Sequence, residues 1–467
     1  MIPRIRNLLS RKFVQDTLVL QAGKVSLIGL SFISLLLISH LVGPKAYGDF
    51  ALAQSLLVIW QTLDFTGIGT STSTLLAIAI GGRDDGAILD LMAFYVKVSV
   101  AVNLAITLLI VLLGGFVASR LYNGSSQIGI FAAWLSFAAV ADGLYGLVIV
   151  ALQSRRSMRA LALMQNANQL ALTILMIGAV IVSPTPEGLV AGRVLYSYST
   201  LALAFFVYTR QRTQGQVSYP PLRAIFSRAR TVSPRLYWRF GVANAVDKNL
   251  AELFIQLPIQ LVGIFAGARA VGYLNLALNG ITQAGVFTSA VFDNMKAVVP
   301  QAVGRRDYAG LRRNFTRVLL VLAVGGVIFY SALALLAPPL IPLVLGSRWL
   351  PAIPPLVALA LYGAVTTVGG NFGPLYRAFG LMRRIIVIKA VALALVLPAG
   401  IILLQRLTVG ARINDPLLGA HLIPPDLIHS GAGALGGALI IDALFLITVA
   451  LTALVTLPEL KKRATQS

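Results

Sequence analysis

Twelve stretches of roughly 20 or more mostly apolar residues recur along this chain, near 15–41, 47–80, 87–118, 127–152, 158–182, 187–209, 238–264, 270–299, 313–337, 350–378, 384–405 and 431–457. About 20 such residues are what a helix needs to cross the hydrocarbon of a bilayer. No water reaches that layer, so every backbone amide in it must be satisfied within the chain, and segments of this length do so as helices. The expected fold is an all-α integral membrane protein of about 12 transmembrane helices. Composition agrees: 57% of residues are hydrophobic and 12% charged, and mean hydropathy is +0.84, against roughly 25% charged residues in a soluble domain.

The net charge of +22 raises the question of a nucleic-acid partner, and the placement of the basic residues answers it. With a cytoplasmic N-terminus, 26 of the 38 Lys and Arg fall in the tails and alternate loops on one side, including Arg155, Arg223, Arg228, Arg305, Arg383 and Lys462. The other side holds Lys45, Arg120, Arg269, Arg348, Arg406 and Arg412. Positive charge collects in cytoplasmic loops, so the bias predicts a multi-pass protein with both termini in the cytoplasm and no nucleic-acid partner. The basic, amphipathic start MIPRIRNLLSRKF runs into an apolar stretch longer than a signal peptide, and is read as part of the first span.

Several chemistries are excluded at this stage. There are no cysteines, hence no disulfide, thiolate metal site or Cys nucleophile. His40, His421 and His429 are too scattered for a metal centre. No Gly-x-x-x-x-Gly-Lys-Ser/Thr loop is present to hydrolyse ATP. The loops are short and mostly basic, which argues against a membrane enzyme; no catalytic residue and no cofactor are expected.

The chain also repeats itself. LVGPKAYGDFALA at 41–53 is echoed by FAGARAVGYLNLA at 265–277, so that Gly43, Ala46, Gly48, Leu52 and Ala53 recur as Gly267, Ala270, Gly272, Leu276 and Ala277, each 224 positions on. Met158-Arg159 and Met382-Arg383 share the offset, as do Lys24 and Lys248. An even number of spans per copy makes the repeats parallel, as in transporters whose halves are related by an axis along the membrane normal. The expectation is two parallel six-helix lobes around a central cavity: residues 1–209, a basic cytoplasmic linker 210–237 with a short surface helix, and residues 238–467. Gly43, Gly48, Gly267 and Gly272 are read as a lobe turn, allowing a bend and close helix contact.

The first turn, LVGPKAYGDFALA, resembles the Gly-Pro-x-x-Tyr-Gly turn of the polysaccharide flippases, which share a superfamily with the multidrug and toxin extrusion exporters and the lipid II flippases. AVVPQAVGRRDYAGLRRNFTR (297–317), LLAPPLIPLVLGSRWLPA (335–352) and GPLYRAFGLMRR (373–384) resemble the second lobe of the same family, although Ala268 and Val271 stand where the repeat turn has proline and tyrosine. The resemblance implies a flippase of a bacterial inner membrane moving an undecaprenyl-pyrophosphate-linked oligosaccharide, such as an O-antigen, capsule or exopolysaccharide unit, by alternating access. Its partners would be that glycan, membrane lipids and polysaccharide polymerase machinery. A cation-coupled multidrug exporter on the same fold is the alternative.

Charges inside spans are costly and usually face a cavity or a partner. Lys24 and Lys248, equivalent in the two lobes, are the first candidates to bind the substrate pyrophosphate, through charge-assisted hydrogen bonds. Snorkelling to the interface, or neutralisation of Lys248 by Asp247 or by Glu252 four residues on, stands beside that role. Lys296 and Lys97 are further candidates, each with a local alternative: an ion pair with Asp293 for the first, snorkelling for the second. Arg193 and Lys389, near span ends, are read as snorkelling. For energy coupling to H⁺, Na⁺ or the membrane potential, Asp64 in the polar run QTLDFTGIGTSTST is the leading carboxylate, followed by Asp293, Glu252 and Asp247. The run Gly67 to Thr74 is read as an interruption of the second span.

Overall fold

The computed structural model describes residues 27 and 29–466, except 123, 156, 214–217, 234–240, 286–290, 293–294, 296–297, 301, 304 and 411–424. Every regular element among them is helical. In chain order these are α1 (Gly29–Leu41), α2 (Pro44–Gln61), α3 (Ile68–Gly82), α4 (Asp85–Leu121), α5 (Gln127–Ser154), α6 (Met158–Val182) and α7 (Pro186–Gln211). They continue with α8 (Leu222–Thr231), α9 (Val242–Ala284), α10 (Tyr308–Leu345), α11 (Ile353–Gly369), α12 (Phe372–Ala378), α13 (Met382–Gly410) and α14 (Pro425–Gln466).

Among the described residues nine helical stretches are long and apolar enough to cross a membrane. Three further features bring the tally to about twelve. Helix α9, at 43 residues, would run about 65 Å if straight, twice the hydrocarbon thickness. It is bent at Gly267, whose φ of 82° lies in the left-handed region that glycine tolerates. The second span is broken into α2 and α3, and α1 is described from Gly29. Lipid-facing surfaces are apolar, with Leu108, Leu112 and Phe116 on α4 and Leu320, Ile328 and Leu335 on α10 all exposed. In water such surface would drive association; in hydrocarbon it is the compatible exterior.

The chain forms two compact units. The first comprises the described residues up to Ile38 together with Trp60–Val246. Its core joins α3, α4, α5, α6 and α8 through residues such as Met92, Leu147, Val148 and Ile225. Helices α4 and α5 approach closely where Gly129 lies on the Gly114 backbone, a place where a Cβ would overlap the Gly114 carbonyl. Small residues let membrane helices pack this way.

The second unit comprises Ser39–Ile59 and Asp247–Ser467. Polar contacts explain why the first of these segments belongs here. Trp349 Nε1 donates to the Ser39 carbonyl at 3.0 Å, and Arg348 donates to the same oxygen at 2.7 Å and to the carbonyl of His40. The Trp349 indole is fully buried, edge-to-face against Tyr47 and Tyr273 with both centroids 6.0 Å away. Gln260 Nε2 donates to the Leu52 carbonyl, Ser55 Oγ to the Gln256 carbonyl, and Asn279 Nδ2 to the Tyr47 hydroxyl.

The two copies of the repeated turn meet in this unit. A Cβ on Gly48 would overlap the Ala268 carbonyl, and one on Gly272 would overlap the Pro44 carbonyl. Gly48 and Gly272 are equivalent in the repeat, as are Pro44 and Ala268. The contact is therefore exchanged: each copy's glycine accepts the other copy's turn. Gly43, by contrast, has no heavy atom of the described residues within 4 Å of its absent Cβ, its chain neighbours apart.

Three sequence expectations change in detail. Of the polar run at 67–74 only Gly67 takes part in the interruption of the second span; the break covers 62–67, and α3 runs helically from Ile68 through the rest of that run. The Ser71 hydroxyl folds back onto the carbonyls of Gly67 and Ile68, satisfying the polar group within its own helix. The described part of 210–237 is packed into the first unit, where the sequence suggests a linker between lobes. Residues 39–59 lie in the second unit, where the sequence places them in the N-terminal lobe.

Candidate functional site

Asp247 enters the second unit early in α9, and its side chain is 3% exposed. A carboxylate removed from water this completely survives as an ion only with counter-charges and hydrogen bonds. The fold supplies both. Lys389 on α13 donates to Oδ1 at 2.6 Å and to the Asp247 backbone carbonyl at 2.9 Å. The Tyr376 hydroxyl on α12 donates to Oδ2 at 2.9 Å, and Arg377 reaches the same oxygen at 3.3 Å. Lys389 is nearly enclosed at 12% exposure, whereas Arg377 is 46% exposed and lies over the Tyr376 ring. The cluster therefore carries one carboxylate and two cations, and its surplus positive charge sits on the accessible member.

Lys248, the next residue, is exposed. Lys24, its repeat equivalent, lies outside the described residues, as do Lys296 and Asp293. Glu252, one turn beyond Lys248, is partly exposed and close enough to Tyr362 to act on it electrostatically. The structure thus gives Lys248 an open surface and gives Asp247 a full set of donors. Lys389, expected to snorkel, is turned inward onto Asp247.

In the first unit Asp64 lies in the break between α2 and α3. Its Oδ1 accepts the Thr66 amide at 2.8 Å, forming an Asx turn, and Gly67 follows at φ 56°. The carboxylate is partly exposed. Lys97 is partly buried on α4, and its ammonium donates to the Val232 carbonyl at 2.8 Å and the Arg230 carbonyl at 3.4 Å. It thereby caps the C-terminus of α8, where unpaired carbonyls and the negative end of the helix dipole favour a cation.

Other contacts fasten α8 to the same unit. Arg228 makes a two-pronged contact with Asp90 at 2.6 and 3.3 Å, which raises the guanidinium pKa through hydrogen bonding and charge. Ile225 and Ala229 bury the helix face. Tyr219 donates to the Ala151 carbonyl at 2.8 Å, and burial pushes its phenol up. Arg193 pairs with Asp142 at 2.6 Å and contacts Ser197 on its own helix. It is a paired residue, not one that snorkels.

The residues that sequence reasoning missed are the partners: Lys389, Arg377 and Tyr376 for Asp247, and Asp142 for Arg193. They lie from 51 to 142 positions away, beyond any helical spacing. The only available sign was the cost of an isolated intramembrane charge, which requires a partner without identifying it.

Residues 37–354 match the family described as polysaccharide biosynthesis protein. No curated protein matches in sequence. Solved structures of similar fold include an inward-facing multidrug resistance MATE family transporter of the MOP superfamily, 14% identical, covering 96% of this chain and 99% of that one with a TM-score of 0.63. The eukaryotic MATE transporter AtDTX14 is 16% identical over 97% and 98% of the two chains, TM-score 0.61. A MOP superfamily transporter from Pyrococcus furiosus, whose binding pocket is described as of reverse polarity, is 15% identical over 96% and 95%, TM-score 0.59. At this identity the structural likeness establishes the fold.

Proposed function

We propose, from the fact that the chain belongs to the polysaccharide biosynthesis protein family, that this membrane transporter is a flippase for a glycan carried on undecaprenyl pyrophosphate. It would take the headgroup from the cytoplasmic leaflet of a bacterial inner membrane and release it on the periplasmic side by alternating access. The family match over 37–354 is the observation that carries this reading. The multi-pass helical fold, shared with transporters of one superfamily, supports it.

The charge arrangement fits an anionic headgroup. With Asp247 committed to Lys389, the half-exposed Arg377 and the exposed Lys248 are cations open to a further anion. A diphosphate leaving water would exchange hydration for charge-assisted hydrogen bonds from such groups. Lys24 and Lys296 remain proposed contacts on the repeat and spacing arguments. Lys97 already holds the end of α8, and a headgroup would have to compete with two carbonyls for it. For coupling to H⁺ or Na⁺, Asp64 and Glu252, both partly exposed, remain the proposed carboxylates, and Asp293 remains a proposal from sequence. The drug-exporter alternative rests on fold likeness alone.

The test uses purified protein in vesicles containing fluorescent undecaprenyl-pyrophosphate-linked oligosaccharide, scored for headgroup exposure across the bilayer. Wild type is expected to move the lipid, and Lys24→Ala with Lys248→Ala to lose at least tenfold in rate (roughly one charge-assisted contact). Failure of wild type on several glycans, alongside ion-driven efflux of organic cations, would replace the flippase with the exporter.

A further inference from the structure

The second unit contains a cavity of about 290 Å³ with a consistent chemical character. Its aromatic walls are Phe292, Tyr330 and Tyr362, and its polar rim is formed by Thr366, Thr367 and Asn371, among others. Glycines give it room. The Tyr330 ring lies where a Cβ on Gly363 would be, and Phe292 lies beside Gly370 and Gly373. Among the described residues that line it, none is charged.

Hydrogen-bond accounting defines what the cavity can receive. The Thr366 hydroxyl donates to the Tyr362 carbonyl at 2.8 Å, and the Thr367 hydroxyl donates to the Gly363 carbonyl at 2.9 Å. Thr282, also on the wall, donates to the Leu278 carbonyl at 2.9 Å. Each hydroxyl has spent its single proton and offers lone pairs only. Asn371 is 2% exposed; its amide nitrogen donates to the Thr367 carbonyl at 2.9 Å, and its Oδ1 has no hydrogen-bond partner among the described residues. Buried acceptors left unpaired are costly and point to a missing donor.

A phosphate brings negative charge into a cavity whose described lining holds no cation, with only the Tyr330 and Tyr362 hydroxyls and the second Asn371 N–H to donate to its oxygens, so it fits poorly. A lipid tail would leave the Asn371 oxygen stranded. A neutral sugar brings several hydroxyl donors on its edge and apolar C–H faces suited to aromatic rings. The volume lies at the lower end for ligand pockets, with room for a single pyranose ring. A bare cation would match the oxygens but leave most of the space and the aromatic walls unused. We infer that this cavity binds one uncharged sugar residue, with Asn371 and the threonine oxygens accepting from its hydroxyls and the aromatic rings covering its faces. The inference rests on the flippase reading only for the source of the sugar, which would be a residue of the transported glycan. The same site makes the protein selective among glycans, since a polar group built to meet a hydroxyl discriminates strongly against ligands lacking it.

The experiment is saturation-transfer NMR on the full chain in lipid nanodiscs, which avoid sugar-based detergents, with a panel of neutral methyl glycosides as probes. Wild type is expected to saturate at least one glycoside. Asn371→Leu is expected to weaken that binding by about tenfold. Gly370 has ordinary helical angles (φ −55°, ψ −32°), and an added Cβ would meet its neighbours at no less than 3.4 Å. Gly370→Ala should therefore fold; it and Gly370→Val, the latter used once shown to be folded, should reduce binding in that order as they fill the cavity. No saturation of any glycoside by wild type, equal signals from the Gly370 variants, or stabilisation by Na⁺ alone with no sugar signal would each overturn the inference. Lipid translocation measured on the same preparations separates the two readings. Translocation without sugar binding sinks the cavity proposal and keeps the flippase, whereas sugar binding without translocation does the reverse.

Discussion

Replacing Asp247 should reveal an order of damage that only the observed ion cluster explains. In Asp247→Ala the Lys389 ammonium, 12% exposed, loses its carboxylate. Breaking a buried pair from one side typically costs about 3–5 kcal/mol, because the abandoned charge remains desolvated. In Lys389→Met the carboxylate keeps Tyr376 at 2.9 Å and Arg377 at 3.3 Å, so the loss should be about half as large. In the double variant Asp247→Asn, Lys389→Met the one charge that loses its partner is Arg377, which is half-exposed and keeps its hydration, and replacing a buried pair by neutral groups is often close to neutral.

For a cooperative unit the size of the second one, each kcal/mol corresponds to roughly 2 °C in Tm. The expected shifts are thus about 6–10 °C for Asp247→Ala, about 3–5 °C for Lys389→Met, and within about 2 °C for the double variant. Thermal scans at one fixed rate in one lipid environment make the comparison, since heating a membrane protein is commonly irreversible and Tm then depends on scan rate. Additive losses in the double variant would show that Asp247 and Lys389 are not energetically coupled. An Asp247→Ala protein as stable as wild type would show that the carboxylate is not charged or not buried.

Gly48→Val and Gly272→Val should each prevent stable folding and by similar amounts, read as the monodisperse yield after extraction, because each side chain would enter the other turn's backbone; tolerance of one but not the other would refute the exchanged contact. Lys97→Met should loosen the end of α8, so that limited trypsin digestion cuts at Arg223, Arg228 or Arg230 several times faster than in wild type, and unchanged cleavage would remove Lys97 from that role. With no native cysteine, single cysteines at Lys45 and Lys462 allow a direct topology assay. Only the first should react with an impermeant maleimide from outside the cell, and labelling of Lys462→Cys would invert the orientation.

The helical spans and their repeat were legible because both are written in short windows of sequence. Hydropathy averaged over about 20 residues reports a bilayer crossing, and even the sharp bend at Gly267 is announced by its match to Gly43. The ion pairs were not legible, since they depend on which helices become neighbours. Lys389 sits near a span end, as a snorkelling lysine would, yet its partner is on a helix 142 positions earlier. The stretch 210–237 misled for another reason: its arginines suggest a solvated linker, while Ile225 and Ala229, four residues apart, form a narrow stripe that packs. At 67–74 the serine and threonine content suggested a break, but hydroxyls that bond one turn back leave the helix intact. Lys24, Lys296 and Asp293, singled out by their position in spans, lie outside the described residues and rest on sequence reasoning.

The turn that each repeat presents to the other has a consequence for what one copy alone can do. A surface that fits its own twin is what a symmetric dimer requires, since one patch then serves both subunits. The glycine that receives and the backbone that is received both lie within five residues, Pro44 to Gly48 in one copy and Ala268 to Gly272 in the other. A single six-helix polypeptide carrying this patch would be able to pair with a second copy of itself through it. Within one chain the two partners need not be alike, and Pro44 and Tyr47 stand in one copy where Ala268 and Val271 stand in the other.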